Sequence, residues 1–303
     1  MASAIVVVTM TGLMSCIKDS LDGCLYPSSG NTRLIVKLDN TANADQYQID
    51  STYVYVFDAN GRFVTSATGG AYDPTKTYEF FFNLENGDYH FIVWANPGDV
   101  YNSGNTFEQC EEQGLTMSDL IYYMNVNGAD VLTQTIPDLL YGAKEQDILE
   151  DQENIVTVYM IPQTYRINVK VLGLPITTDE FRFTITDNNS HYNFDNSIVP
   201  NIDDFTYIRD AYQQEDEELN VSFKVLRLED DRSPDFLFMN STEHEVLFHD
   251  NLVEVIRRAY RQSGQVLNFN RIHTFNIVLT FDIRMGMSVT INGWQYNHQL
   301  QPL

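Results

Sequence analysis

Apolar and polar residues alternate one for one in segment after segment of this chain, and a period of two fits a strand with one face in a core. From Arg33 to Asp39, Leu34, Val36 and Leu38 share one face, while Ile35 and Lys37 take the other. Tyr53-Val54-Tyr55-Val56-Phe57 is rich in β-branched and aromatic residues, and Asp58-Ala59-Asn60-Gly61 supplies a turn into Arg62-Phe63-Val64 as hairpin partner. Tyr78, Phe80, Phe82 and Leu84 alternate in Thr77 to Leu84. After the turn Glu85-Asn86-Gly87-Asp88, Tyr89, Phe91, Val93 and Ala95 alternate with His90, Ile92 and Trp94. Adjoining hairpins of this kind make an antiparallel sheet.

The pattern then breaks and restarts. Thr116 or Ser118 is a candidate cap for a helix with Leu120, Ile121 and Met124 on one face, ending near Asn125 and Gly128. Val131 to Glu153, with Pro137 and Gly142, reads as a looser acidic region, and Ile155 to Ile161 as the next strand. A domain boundary is expected near Pro162, because Tyr165 to Leu172 restarts the alternation with Ile167, Val169 and Val171. Asn168-Val169-Lys170-Val171 is faintly like Ile35-Val36-Lys37-Leu38, as two copies of one sandwich would be. Strands follow at 181–187, 219–225, 236–239, 246–248, 275–281 and 289–291. Asp250 is the expected N-cap of a second helix that buries Leu252, Val253, Ile256 and Tyr260 and stops at Gly264. The expected fold is therefore mainly all-β, two tandem β-sandwich domains (33–161 and 162–303) with short inserted helices.

The first 32 residues read differently. Ala4 to Leu13 is an uncharged apolar run followed by Met14, Ser15 and Cys16, the layout of a secretory signal (1–15) ending at a lipoprotein cleavage site. It resembles the bacterial lipobox, which implies lipidation of Cys16, cleavage before it and acylation of the new amino terminus. Several acyl chains hold a protein more firmly than the marginal grip of one, at roughly 0.8 kcal/mol per buried methylene. The alternative is an apolar first element with Cys16 as a buried thiol. Residues 16–32, rich in Asp, Ser, Gly, Pro and Asn, form a tether. Lys18-Asp19 also resembles the short signals that send some Bacteroidales lipoproteins to the outer face of the outer membrane. With Cys16 lipidated, Cys24 and Cys110 remain, and such a pair in an exported chain either forms one disulfide or stays as two thiols.

Charge and motifs exclude several functions. The chain of 303 residues carries 18 Lys and Arg against 42 Asp and Glu, a net charge of −24 that repels nucleic acid. His244-Glu245-Val246-Leu247-Phe248-His249 spaces its histidines five apart in a strand-like segment, which sends them to opposite faces and denies them a shared metal ion. Asp187-Asn188-Asn189-Ser190 and Glu215-Asp216-Glu217-Glu218 are oxygen-rich without the ligand spacing of a calcium loop, and read as a turn and a solvated run. No nucleophile elbow, phosphate loop or dinucleotide fingerprint occurs. No catalytic residue, cofactor or metal site is expected. Tyr and Phe number 18 each, and their strands read as core packing first and as a carbohydrate-binding face second.

Several features coincide in order: Ser15-Cys16-Ile17-Lys18-Asp19 with Cys24; the run from Tyr53 to Phe63; Gly87-Asp88-Tyr89-His90-Phe91-Ile92-Val93-Trp94-Ala95-Asn96; and Ile291-Asn292-Gly293-Trp294. Together they resemble the fimbrillin-associated anchor family of Bacteroidales over nearly the whole chain. The resemblance implies two transthyretin-like sandwiches on a lipid at the outer membrane, forming the base of a fimbrium that engages a shaft subunit. Shaft subunits of such fimbriae join by strand donation. A surface glycan-binding lipoprotein is the alternative, and a tip or shaft subunit of the same assembly a third, requiring removal of the N-terminal segment, for instance after Arg33. The tail Gln295 to Leu303 is short and polar, and does not show whether a strand is donated or accepted.

Overall fold

The computed structural model describes residues 30–39, 46–98, 100–102, 107–124, 131–212, 218–282 and 286–298. In chain order the strands are β1 (Thr32–Leu38), β2 (Thr52–Asp58), β3 (Phe63–Gly69), β4 (Tyr78–Phe82), β5 (Gly87–Ala95), β6 (Tyr101–Asn102), β7 (Ile121–Met124), β8 (Val131–Leu132), β9 (Leu140–Ile148) and β10 (Asn154–Pro162). They continue as β11 (Thr164–Leu172), β12 (Glu180–Asp187), β13 (His191–Asn193), β14 (Phe205–Tyr212), β15 (Leu219–Leu226), β16 (Asp235–Asn240), β17 (Glu245–Asn251), β18 (Thr274–Asp282), β19 (Gly286–Ile291) and β20 (Trp294–His298). Helix α1 (Phe107–Gln113) lies between β6 and β7, and α2 (Leu252–Ser263) between β17 and β18. The fold is mainly β, as the alternation predicts.

The first sheet runs β3-β2-β5-β9-β10-β1-β4 and folds over on itself. Its turning point is the β9–β10 ladder, which pairs only Tyr141 with Ile161 and Leu140 with Pro162. Gly142 stands at that corner, where an added Cβ would come within 2.6 Å of Val158 Cγ1 and 2.7 Å of the Tyr159 carbonyl oxygen. The two layers, β3-β2-β5-β9 and β10-β1-β4, enclose one core. Leu34 and Val36 of β1, Val54 and Val56 of β2, Phe91 and Val93 of β5, and Val156 and Val158 of β10 are fully buried there.

The second half pairs β15-β11-β18-β19-β20 with β17-β16-β12-β14-β8, while β13-β7-β6 forms a small third sheet. The two halves repeat one pairing rule. β1 lies between antiparallel β4 and parallel β10, and β11 between antiparallel β15 and parallel β18. Only Gln163 separates β10 from β11.

The layer β3-β2-β5-β9 is covered on both faces. Tyr55, Phe57, Ile92 and Trp94 point away from the first core and enter the second, which continues through the C-terminal half. Trp94 stacks on Tyr122 with centroids 4.5 Å apart and planes 4° apart, and Phe194 meets Tyr55 edge-on at 4.8 Å. Ile92 and Trp94, read from sequence as the opposite face of an alternating strand, are therefore as buried as Phe91 and Val93.

Three expectations are corrected. The helix expected from Thr116 or Ser118 is one 3-10 turn, Met117–Asp119, closed where the Thr116 amide and hydroxyl both donate to Asp119 Oδ2 at 2.9 and 2.7 Å. Leu120, Tyr122 and Met124 then alternate inward, so the period of two prevails and β7 forms, while α1 lies upstream. The looser region 131–153 contains β9, a nine-residue strand paired along its whole length with β5. Its Lys144-Glu145-Gln146-Asp147 run is turned largely to solvent, which hides the strand from a hydropathy reading. The N-cap of α2 is Asn251, whose Oδ1 accepts from the Glu254 amide at 3.0 Å, whereas Asp250 lies one residue earlier in β17 and receives Arg258 at 2.7 Å. Gly264 closes that helix in the left-handed region, φ 70°, as expected.

Because Trp94 joins the halves, Trp94→Ala is expected to cost about 3–5 kcal/mol. Chemical denaturation should show that loss in a single transition for the whole molecule, and a loss below about 1 kcal/mol would contradict the shared core.

Candidate functional site

The residues that begin β1 are held more firmly than any turn requires. The Asn31 side chain donates through Nδ2 to the Leu84 carbonyl at 2.6 Å and accepts from the Leu84 amide at 3.0 Å, reading that backbone on both sides. Nδ2 also lies 3.3 Å from the Glu150 carbonyl, and the Asn31 amide donates to Asn83 Oδ1. The Asn31 carbonyl accepts from the Asn154 amide at 2.7 Å and from Asn154 Nδ2 at 3.0 Å. Asn is suited to this task because one amide supplies both donors and acceptors. Gly30 sits so close to β4 that a Cβ would lie 2.4 Å from the Phe82 carbonyl oxygen. Next in the strand, Arg33 is paired with Glu79 across the β1–β4 ladder.

The junction between the halves is the second concentration of polar contacts. Asp138 receives Arg166 at 3.0 Å and Lys224 at 2.9 Å, its side chain only 11% exposed to solvent. Arg166 also donates to the Gln46 carbonyl and lies over the Tyr47 ring at 5.4 Å, which ties β11 to the first half. Gln163 donates its amide to the Leu139 carbonyl at 2.7 Å, and its Oε1 accepts from the buried Arg227 at 3.2 Å. Arg227 continues to Glu229 at 2.7 Å, to the Asn196 carbonyl at 2.8 Å and to the face of Tyr192 at 5.5 Å. His273 is buried beside Tyr165, and desolvation lowers its pKa from 6.5 to about 4, so it is neutral in the folded protein.

Most of the residues singled out from sequence are dispersed. Cys16 and Cys24 lie outside the described residues; the Cys110 thiol is buried in α1, and burial raises its pKa. His244 occupies a turn with φ 58°, while His249 on β17 pairs with Asp235 at 2.6 Å. Asp187 is engaged by Arg232, Asn189 donates to the Arg227 carbonyl at 2.9 Å, and the Ser190 carbonyl accepts from the Met124 amide at 2.8 Å. Glu218 pairs with Lys170 at 2.7 Å, and the remainder of its run, 215–217, is outside the described residues. Among the described residues, no cluster of His, Cys, Asp and Glu is arranged to hold a metal.

Two surface features remain. A cleft of about 630 Å³ is lined by Asp187, Asn188, Asn201, Asp204, Asp231 and Arg232, with no aromatic ring in its wall. Tyr159, Tyr212 and Trp294, the most exposed large aromatic residues among those described, lie on three different sheets and build no flat platform. Sheet edges are provided by β3 and β4 in the first sheet, by β15 and β20 and by β17 and β8 in the next two, and by β13 and β6 in the small one. Among the described residues, no helix is long and apolar enough to cross a membrane.

The model of the fimbrillin-A associated anchor proteins Mfa1 and Mfa2 matches residues 21–300. The chain belongs to this family. It is a family of fimbrial structural and anchor proteins and not of enzymes, so this protein is a fimbrial subunit. Solved structures share the fold. One, from Bacteroides thetaiotaomicron and described as a proposed polysaccharide-binding protein, has TM-score 0.72 and 21% identity over 89% of this chain and 99% of its own. The fimbrial anchor protein Mfa2 of Porphyromonas gingivalis has TM-score 0.67 and 19% identity over 87% and 98%. A proposed adhesin of B. thetaiotaomicron has TM-score 0.68 and 17% identity over 87% and 95%. No curated protein matches in sequence. The family expected from sequence is thus the family found. The Asn31 lock was not anticipated, since an Asn at the end of a polar tether carries no periodic signal.

The junction generates a pH dependence. As pH falls from 6.5 towards about 4, the unfolded chain protonates His273 before the folded one does, so the stability present above pH 6.5 is lost across that window. The contribution is about 3 kcal/mol. Denaturation midpoints at pH 7 and pH 4 should diverge more in the parent than in His273→Gln; equal divergence would rule this out.

Proposed function

We propose that this protein is the base subunit of a fimbrium, a lipoprotein held on the outer membrane through Cys16 and bound to the terminal shaft subunit. In this reading residues 1–15 are removed, 16–32 form the tether with its last residues, Gly30 to Thr32, already docked on the fold, and 33–161 and 162–303 are the two sandwich domains. The observation that carries it is the state of β1. A tip or shaft role would call for removal of the N-terminal segment, for instance after Arg33, yet that peptide bond lies inside a strand paired on both sides. Leu34 and Val36 beyond it are fully buried in the first core. A subunit that keeps its first strand keeps whatever is attached ahead of it, which is what a base requires.

Shaft contact is assigned to the C-terminal half, where edge strand β20 offers its backbone to an extended segment of a neighbour. Glycan binding is less well supported, because the cleft has no stacking surface and the exposed aromatic residues are scattered. On cells carrying Cys16→Ala, fimbriae are expected in the medium instead of on the surface, and mass spectrometry of the native amino terminus should find a lipidated Cys16. Fimbriae retained by the Cys16→Ala cells would overturn the anchor assignment.

A further inference from the structure

We infer that the two halves are shear clamps in series, built to carry tension from the start of β1 through to β18; the inference deepens the base-subunit reading and rests on it for the source of the force. The argument is topological. β1 and β10 run parallel over seven residue pairs, from Thr32 beside Asn154 to Leu38 beside Met160. A pull arriving from the tether acts on the Thr32 end of β1. The opposing pull leaves through the Pro162 end of β10, because β11 begins two residues later. Forces at opposite ends of two parallel neighbours slide one along the other, so the hydrogen bonds between them are strained together. In an antiparallel hairpin pulled from its open end, by contrast, the bonds break one after another.

The second half repeats the device. β11 and β18 are parallel over seven pairs, from Arg166 beside Thr274 to Leu172 beside Thr280. Tension enters β11 at Thr164 and is drawn off at the Asp282 end of β18, by way of antiparallel β19 and β20 when a neighbour holds β20. Gln163, the one residue between the clamps, is bonded on one side to Leu139 and on the other to Arg227, so the link is itself secured.

The point where force would arrive is reinforced. Asn31 is bonded to Leu84 in both directions, to Glu150 and to Asn154, and through them to the β4–β5 and β9–β10 connections. β1 is also flanked on its other side by β4 over five pairs, with Arg33 paired to Glu79. Freeing β1 therefore requires two ladders and the Asn31 contacts to fail at once. The Asn31 contacts thus hold fast a strand end of the kind that ordinarily frays.

Single-molecule pulling on the full chain tests the idea through two geometries. With handles at the amino terminus and at Asp282, rupture is expected at a force several-fold higher than with handles at Ser51 and Gly70, from which β2 and β3 part end first. Asn31→Ala with Asn154→Ala should lower the rupture force in the first geometry and leave the second unchanged. Equal forces in the two geometries, or unravelling of β1 at low force, would overturn the clamp whatever the fate of the lipid assignment. Release of fimbriae by Cys16→Ala, conversely, reports on the anchor alone.

Discussion

The layer β3-β2-β5-β9 belongs to two cores at once, and the rest of the architecture follows from that double burial. A sheet with one wet face can part from its neighbour at the cost of one interface. Here Val54, Val56, Phe91 and Val93 are packed on one side, and Tyr55, Phe57, Ile92 and Trp94 on the other. Separating the halves would expose four large side chains, each worth roughly 1.5–3 kcal/mol of burial. Interfaces between domains of one chain are commonly modest and polar, with relative motion the default. This one is continuous with the second core, which argues for a single stiff body.

The charges are arranged to the same end. Acidic residues outnumber basic ones by 42 to 18, so a cation is a scarce resource in this chain. Four of the cations meet where the halves join. Arg166 and Lys224 share Asp138, Arg227 reaches Gln163 and Glu229, and Arg209 donates to the Thr133 and Gln134 carbonyls at 2.8 and 3.1 Å. An acid with so little solvent needs its partners, since removing one leaves a charge without compensation. The junction thus combines an aromatic interior, which resists separation, with a rim of directional bonds, which fixes the relative orientation.

Strands with one clean apolar face were legible, and β1, β2, β11, β12 and β18 lie where the alternation puts them. β9 was hidden because its charged run satisfies solvent while its backbone is paired along its length. β7 was misread because Leu120, Ile121 and Met124 fit a helical face as well as a strand, and only packing against β13 decides between them. Family membership was readable from the order of hairpins and turns. The polar locks at Asn31 and Gln163 were not, because each depends on partners many positions away that no local pattern announces.

Keeping or losing β1 is an energetic choice with a definite size. Leu34, Val36 and Leu38 together contribute roughly 5–9 kcal/mol of burial, comparable with the whole net stability of an ordinary domain. Removing the strand would also strand the backbone groups of β4 and β10 along a hydrophobic trough. Such a cut is tolerable only when another strand arrives to fill the gap, which is the situation of a subunit inside a polymer. A chain at the end of a polymer, with no donor behind it, has to supply that strand itself. In this protein the strand is native, buried on its inner face, paired on both edges and locked at Asn31, the residue just ahead of it. A strand so placed fits the proposed base subunit, in which the segment ahead of it stays attached and is pulled upon.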